Sequence, residues 1–218
     1  MSKNCFSSWS GGKDSCLAFY KTLEQGYSPK KLFTMFSMEN GISSAHRLKE
    51  EIIKAQAGAI GIEYSVGRAL FNDYEDVFVS NLKLFKVQGI DFGIFGDIDI
   101  EEHRHWEERV CNRASITALL PLWQRDRKEL VKEFIDLGFK AKIIVVNTTM
   151  MDTKFLGQDL SYSLMEEIEA CGADICGENG EYHTVVYDGP IFKNSVDLKF
   201  GTEIIPVGEK WAQIDVSI

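Results

Sequence analysis

The sequence predicts a doubly wound α/β protein with a five-stranded parallel sheet, followed by a smaller α+β domain. Three observations lead to this prediction. Short β-branched or aromatic runs alternate with helical patterns through the first half of the chain, five helical segments stop at a glycine, and a two-glycine loop joins the first strand to the first helix. Alternating strands and helices favour right-handed crossovers, and therefore a parallel sheet.

The five predicted strands of the sheet share apolar, β-branched or aromatic composition. They span residues 4–10, 31–37, 63–66, 91–95 and 117–120. The helices between and after them are expected to end where glycine can adopt a left-handed cap, at Gly26, Gly61, Gly89, Gly138 and Gly172. Asn72 with Glu75 and Asp126 with Glu129 have the spacing of a helix cap and its third residue.

Helical periodicity separates core residues from candidate site residues. Positions 74, 77, 78, 82 and 85 fall on one helical face, as do positions 48, 52, 55, 59 and 60. These side chains are therefore assigned to the core, and the aromatic ones among them are not a cofactor-binding motif.

The pattern changes near Trp123, so we place a domain boundary there, with residues 1–122 in the first domain and 123–218 in the second. The second part contains predicted helices at 126–137 and 161–171 and a strand at 142–146. Further β-like runs follow at 183–187, 196–200, 203–207 and 211–218. No flexible linker separates the two parts, so we expect them to pack closely.

Composition limits the classes of function. The 218 residues are 44% hydrophobic, enough for a substantial core, and the net charge of −9 disfavours nucleic acid as a partner. No apolar run approaches a membrane span and no signal-peptide pattern opens the chain, so a soluble, cytoplasmic protein without membrane contact is expected. Five cysteines without a C-x-x-C spacing favour buried thiols over disulfides or zinc.

The sequence SGGKDS at residues 10–15 has the features of a phosphate-binding loop. Two glycines at a helix start let backbone N–H groups surround an anion, and the helix dipole adds partial positive charge. Lys13 adds a mobile charge, and Ser10 and Ser15 add hydroxyl donors. Asp14 stands where a Walker loop needs Ser or Thr. The alternative interpretation is a glycine-softened turn with a surface lysine.

A second polar stretch spans residues 176–184, with Glu178, Asn179, Glu181 and His183 around glycines before a strand. Such groups can bind Mg²⁺, orient ammonia or accept a proton. A solvated β-turn explains the same residues equally well. From this stretch alone, both interpretations stay open.

The third polar stretch follows the fourth predicted strand and begins Gly96-Asp97. Asp97, at a strand end, is placed to serve Mg²⁺ or a ribose, whereas four glutamates after it are assigned to a solvated helix face: Glu101, Glu102, Glu107 and Glu108. His103 and His105 diverge on a helix and are not expected to share a metal. His46, which opens the second helix, is assigned to a helix cap or to the surface, with a catalytic role as the less favoured alternative.

Ligands of open α/β sheets bind beyond the carboxyl ends of the strands, where the strand order reverses. Three loops are therefore expected to meet there: residues 10–15, residues 37–40 and residues 96–99.

The SGGKDS loop resembles the pyrophosphate loop of the N-type ATP pyrophosphatases. Together with further stretches it resembles the diphthine–ammonia ligase (diphthamide synthase) family, over residues 6 to 192. The stretches that carry this resemblance are His46, Gln56-Ala57, Gly61-Ile62, residues 96–98, Leu122-Trp123 with Asp126, Leu156-Gly157, and residues 177–184.

The resemblance implies an adenine nucleotide alpha hydrolase-like sheet and a C-terminal domain specific to the family. It implies a reaction in which ATP adenylates the carboxylate of diphthine and ammonia displaces AMP, giving an amide, AMP and pyrophosphate. Adenylation is needed because a carboxylate oxygen is otherwise a poor leaving group for attack by ammonia. ATP and Mg²⁺ are the expected cofactors.

Site residues follow from the same resemblance. Residues expected to bind the nucleotide are Ser10, Gly11, Gly12, Lys13, Asp14, Ser15, Ser37, Met38, Gly96 and Asp97, with adenine on the backbone near Ser37 and Met38. Asp14 or Asp97 would hold Mg²⁺. The expected catalytic residues are Lys13, Asp14, Glu178, Glu181 and His183, the last three forming the acceptor pocket.

The acceptor depends on the branch of the family. The continuation DIDIEEHRHW after Gly96 departs from the archaeal and eukaryotic pattern and resembles the bacterial branch. In an archaeal or eukaryotic host the implied protein substrate is elongation factor 2. Bacteria are not expected to carry diphthamide, so a bacterial enzyme would act on another carboxylate. The expected partners are ATP, ammonium and this acceptor, and a homodimer is left open.

Two alternatives to a carboxylate–amine ligase remain at this stage. One is an ATP-binding sensor like the universal stress proteins, although their glycine pattern is looser. The other is an ATP pyrophosphatase that modifies RNA, which the acidic composition and the missing C-x-x-C disfavour.

Overall fold

Five parallel strands form the central sheet of the protein. The computed structural model describes residues 3–43 and 46–218. The strands are β1 (Asn4–Ser8), β2 (Ser28–Ser37), β3 (Glu63–Ala69), β4 (Phe92–Ile94) and β5 (Thr117–Leu119). They lie in the order β3-β2-β1-β4-β5, and every neighbouring pair is parallel. The predicted doubly wound sheet is confirmed.

Helices cover both faces of this sheet. They are α1 (Lys13–Glu24), α2 (Glu50–Ile60), α3 (Tyr74–Val87) and α4 (Glu101–Arg113). Successive residues of β1 point to opposite faces, so Cys5 joins the core on the α1 and α2 side while Phe6 joins the core on the α3 and α4 side. The predicted apolar face of α3 is confirmed, since Phe78, Leu82 and Phe85 are buried there.

The predicted helix caps are confirmed with one exception. All five predicted cap glycines have positive φ, between 76° and 83°. The carboxylate of Asp126 accepts from the Glu129 N–H at 2.9 Å. The cap predicted at Asn72 is wrong: residues Phe71–Asp73 form a 3-10 turn, so α3 starts one residue later and Asp73 occupies the cap position without a side-chain bond.

The second part of the chain builds an antiparallel sheet. Its elements are α5 (Arg127–Asp136), β6 (Lys140–Asn147), a 3-10 turn (Thr153–Phe155), α6 (Tyr162–Ala170), β7 (Tyr182–Asp188), β8 (Lys199–Phe200), β9 (Ile205–Val207), β10 (Trp211–Gln213) and β11 (Val216–Ser217). Four strands pair in the order β7-β6-β10-β9, and β8 pairs with β11. The predicted smaller α+β unit is therefore present.

One apolar core crosses from the first sheet to the second. It includes Trp9 and Ile53 from the first part and Ile143 and Val185 from the second. The domain boundary after residue 122 remains a prediction. In the sequence, the strands of the first sheet come before this position and those of the second sheet come after it.

The cysteines are mostly buried thiols, as the sequence predicted. All five are unpaired among the described residues, and four of them are buried: Cys5, Cys16, Cys111 and Cys176. Across residues 3–43 and 46–218, no helix has the length and apolar character needed to cross a bilayer.

Candidate functional site

A cavity of about 580 Å³ opens at the carboxyl ends of β1 and β4, where the strand order reverses. Its walls come from the loop after β1, the loop after β4 and the turn before β7. Ser10, Lys13, Asp97, Glu178 and His183 all line it. The structure thus brings the first, second and third polar stretches of the sequence to one place.

The loop after β1 has the compact form that anion binding requires. The Ser10 hydroxyl accepts from the Gly12 N–H at 3.3 Å and donates to the Ser15 hydroxyl at 3.1 Å. Gly12 has no room for a side chain, since a Cβ there would lie 2.1 Å from the His46 ring. The N-terminus of α1 follows directly, and its dipole favours negative charge.

Lys13 places a buried positive charge at this helix start. It is 5% exposed, and its Nζ lies 2.9 and 2.8 Å from the two carboxylate oxygens of Asp14. Burial would lower the pKa of Lys13, but the attraction of Asp14 outweighs that penalty and holds the pKa well above its usual range. The ammonium group therefore stays charged beside the loop.

Strand β7 of the second part packs against the loop at residues 10–15. The Thr184 hydroxyl accepts from the Lys13 N–H at 3.1 Å, and the Val186 N–H donates to the Gly11 carbonyl at 2.9 Å. The Thr184 carbonyl accepts from Nδ1 of His46 at 2.8 Å. His46 is thus part of the site, contrary to its assignment to a cap or the surface.

Glu178 is the carboxylate of the turn that reaches the cavity. Its Oε1 accepts from the Ile98 N–H at 3.4 Å, beside the strand-end Asp97. Burial, reinforced by the negative charge of Asp14, raises the pKa of Glu178 to about 7. A carboxyl group with this pKa can exchange a proton near neutral pH.

His183 and His46 are neighbours in the cavity wall, with their ring planes tilted by 45°. Their ring centroids are 4.8 Å apart, and His183 also stacks on Trp211 at 5.7 Å. Burial, together with nearby His46 and Lys13, holds the pKa of His183 well below its usual range, and burial also lowers the pKa of His46. Both rings are therefore neutral at pH 7.

Glu181 does not take the place expected for it in the acceptor pocket. It is 2% exposed and is not among the residues that line the cavity. Its carboxylate accepts from the Asp174 N–H, the Asn179 N–H and the Asn179 side-chain amide, at 3.1 to 3.3 Å. These bonds show that Glu181 holds the turn that carries Glu178.

Asp97 is partly buried and belongs to a polar cluster that the sequence did not indicate. Its Oδ1 is 2.7 Å from Nδ1 of His103, and it also hydrogen-bonds with Glu107. Burial opposes its ionisation, but these two bonds outweigh that effect and lower the pKa of Asp97. Burial and the neighbouring Asp97 raise the pKa of Glu107 to about 11, so Glu107 is a neutral donor.

The assignment of Glu107 to a solvated helix face is therefore wrong. Glu107 is 4% exposed, on the same side of α4 as the buried Val110 and Cys111. Glu107 lies three and four residues before these apolar positions, and this helical spacing was the signal in the sequence that Glu107 is buried.

Ser37 and Met38 do not line the cavity. Their backbone N–H groups donate to Ile42 and Ala69 carbonyls, and the Met38 side chain is 63% exposed. The loop at residues 37–40 was expected to meet the other two loops at the cavity, but it does not. Strand β2 continues to Ser37 and carries this loop past the cavity. The β2 residues that do line the cavity are Phe33, Thr34 and Met35.

The residues present are suited to Mg²⁺ bound together with phosphates. Within the described ranges, no group of three or more His, Cys, Asp or Glu side chains is arranged to hold a metal by itself. Mg²⁺ at polyphosphate sites needs only one or two carboxylates, with substrate oxygens and water completing its coordination. Asp14 and Asp97 both line the cavity and can supply these carboxylates.

The sheet order and the glycine loop after β1 define a doubly wound α/β protein with its candidate site at the point where the strand order reverses. Among proteins of this class, the chain belongs to the diphthamide synthase family. The diphthamide synthase N-terminal domain matches residues 4–118, and the diphthamide synthase C-terminal domain matches residues 126–215. The predicted resemblance is confirmed.

Related proteins of known name agree with this family. The chain is 29% identical to human diphthine–ammonia ligase, over 94% of this chain and 86% of that protein. It is 26% identical to the zebrafish (Danio rerio) diphthine–ammonia ligase, over 94% and 90%. The chain is an enzyme of the ATP-dependent carbon–nitrogen ligase class.

A solved structure is similar in outline only. It is the crystal structure of a predicted subunit of a tRNA methyltransferase from Methanocaldococcus jannaschii, with a TM-score of 0.47 and 17% identity. The similarity covers 88% of this chain and all of that chain.

Proposed function

We propose that this enzyme uses ATP to adenylate a carboxylate and then amidates it with ammonia, releasing AMP and pyrophosphate. One observation carries the proposal: the loop at residues 10–15 and the stretch at residues 177–184 face the same cavity, so that Lys13 and Glu178 both line it. A nucleotide and a second substrate can therefore meet there.

The β- and γ-phosphates are assigned to the loop at residues 10–15. The charged Lys13 and the start of α1 provide positive charge there, and the hydroxyls of Ser10 and Ser15 can donate to a phosphate when they turn from their bonds within the loop. Charge develops on pyrophosphate as the carboxylate oxygen attacks the α-phosphorus, and these fixed groups stabilise it most at that stage. Bound Mg²⁺, held through Asp14 and Asp97, would neutralise further phosphate charge.

Adenine is assigned to the apolar side of the cavity, in place of the position expected at Ser37 and Met38. Phe33, Met35, Phe78 and Phe95 line that side, so Phe78, which the helical periodicity assigned to the core alone, also faces the cavity. Aromatic and thioether side chains pack well against a flat heterocycle.

Glu178 is assigned as the base of the second step. Ammonia attacks the carbonyl carbon of the acyl adenylate, the bond to AMP breaks, and a proton leaves the new nitrogen. With a pKa of about 7, the ionised Glu178 can take that proton, and neutral His183 can accept a hydrogen bond from ammonia.

The acceptor is proposed to be diphthine, the compound in the names of the relatives, or a chemically related carboxylate. Elongation factor 2 would carry it in an archaeal or eukaryotic host. Association into a homodimer is a separate proposal, which analytical ultracentrifugation tests.

The decisive experiment follows labelled ATP in the presence of ammonium and a set of carboxylate acceptors. The proposal expects AMP and pyrophosphate, with AMP release dependent on both ammonium and acceptor. Bound but unhydrolysed ATP under all conditions would indicate the sensor alternative. AMP release that depends on RNA and not on ammonium would indicate the RNA-modifying alternative.

A further inference from the structure

Gln56 is a fully buried amide that connects the phosphate loop to the second part of the chain. It lies on α2, at 0% exposure, and does not line the cavity. Its Nε2 donates to the Gly11 carbonyl at 3.0 Å and to the Val186 carbonyl at 2.6 Å. Its Oε1 accepts from Trp9 Nε1 at 2.9 Å.

These partners leave only one orientation for the amide. Two carbonyl oxygens can only accept, and the indole N–H can only donate, so Nε2 must face the carbonyls and Oε1 the indole. All three bonds are buried, and all three depend on that single orientation. Gln56 therefore holds a defined geometry rather than filling space.

The Gly11 carbonyl transmits this geometry to the loop. It accepts from both Gln56 Nε2 and the Val186 N–H, and so points toward β7. A trans peptide is planar, with its C=O and N–H on opposite sides. The Gly12 N–H is consequently directed the other way, toward the Ser10 hydroxyl in the cavity wall.

The backbone at Gly11 needs hydrogen bonds from other segments to hold one conformation. Gly11 has a φ of +80°, and a Cβ there would lie 2.7 Å from Gln56 Oε1. The peptide after a glycine is free to rotate in many conformations. The two bonds on the Gly11 carbonyl restrict that rotation.

We propose that Gln56 is a positioning residue, which orients the Gly11–Gly12 peptide so that the Gly12 N–H is presented to a bound pyrophosphate group. The inference rests on the proposed function, because it assumes that residues 10–15 hold this group. It adds that the loop depends on β7, some 170 residues away in sequence, for its binding geometry.

The test compares two ligands by isothermal titration calorimetry: inorganic pyrophosphate, which should use the loop, and AMP, which should use the rest of the cavity. In Gln56→Met, which keeps the volume but loses the bonds, we expect pyrophosphate binding to weaken about tenfold, as for one lost hydrogen bond to a charged group. AMP binding should stay within about twofold. The amide ¹⁵N resonance of Gly12 should shift.

Thr22→Val is the matched control. Thr22 is also fully buried, and its hydroxyl donates to the Ala18 carbonyl at 2.7 Å within α1, away from the loop. It should lower stability without changing either affinity. A general loss of stability would therefore be separated from a change at Gly12.

Trp9→Phe keeps the test valid if Gln56→Met does not fold. It removes the N–H that fixes the amide orientation, and we expect a smaller loss of the same sign for pyrophosphate over AMP. Equal changes for both ligands, or none for either, in the folded variants would overturn the inference while leaving the proposed function intact. If the unmodified protein binds no pyrophosphate, the loop assignment in the proposed function fails, and this inference fails with it.

Discussion

The ammonium group of Lys13 lies 2.9 and 2.8 Å from the two carboxylate oxygens of Asp14, although the residues are neighbours in sequence. Both side chains turn into the cavity at the first turn of α1. A cation suited to phosphate and a carboxylate suited to Mg²⁺ are thereby held side by side.

Replacing Lys13 tests the phosphate assignment. Lys13→Ala should weaken ATP binding by about 1.5–3 kcal/mol, or 10- to 100-fold, because a buried charged donor to the phosphates is lost. Titration calorimetry with ATP measures this. Lys21→Ala, in the last turn of the same helix, is the control and should leave the affinity unchanged. Unaltered ATP affinity and turnover in Lys13→Ala would remove Lys13 from the site.

The pH dependence of turnover tests Glu178. Its pKa is raised to about 7, so it is protonated and unable to accept a proton at pH 6, and ionised at pH 8. When kcat/KM is calculated on the concentration of neutral ammonia, it should therefore rise with pH and level off above about 7. Glu178→Gln should lose this inflection and about 100-fold of the rate at pH 8.

A matched control for that experiment is Glu167→Gln, on the exposed side of α6. It should retain both the rate and the inflection. An inflection near pH 7 that persists in Glu178→Gln would assign the titrating group elsewhere.

Imidazole protonation can be followed directly by ¹⁵N NMR. The hydrogen bond from His103 to Asp97 raises the pKa of His103. The His103 ring should therefore titrate above pH 6.5. Burial holds the pKa of His183 well below its usual range, so its resonances should stay those of a neutral ring as the pH falls to 6. Replacing each histidine by Asn assigns the signals. The reverse order of titration would contradict the burial of His183.

Replacing Glu181 should lower the stability of the protein, because its main role is to hold the turn together. Glu181→Ala leaves three donors in the turn without their acceptor, and we expect about 2–4 kcal/mol lower free energy of unfolding in urea. Glu166→Ala, at an exposed position of α6, should change it by less than about 0.5 kcal/mol. If Glu181→Ala kept full stability but lost turnover, Glu181 would have a direct role in the reaction.

Much of the fold could be predicted because its signals are local. Glycines of left-handed conformation ended the helices as expected, and the apolar face of α3 followed from its 3.6-residue period. The cap at Asn72 was wrong because a 3-10 turn and a regular helix start use similar residues, and only the backbone distinguishes them.

The sequence by itself determined that the first half forms a parallel sheet and that a glycine loop follows its first strand, because both depend on residues that are close together along the chain. Several separate motifs together determined the family. Tertiary structure alone decided which carboxylates reach the cavity. Glu178 and Glu181 are three residues apart in one motif, yet one faces the cavity and the other braces the turn. Gln56 and Glu107 gained their environments from distant segments, because burial and hydrogen-bond partners are properties of packing rather than of local sequence.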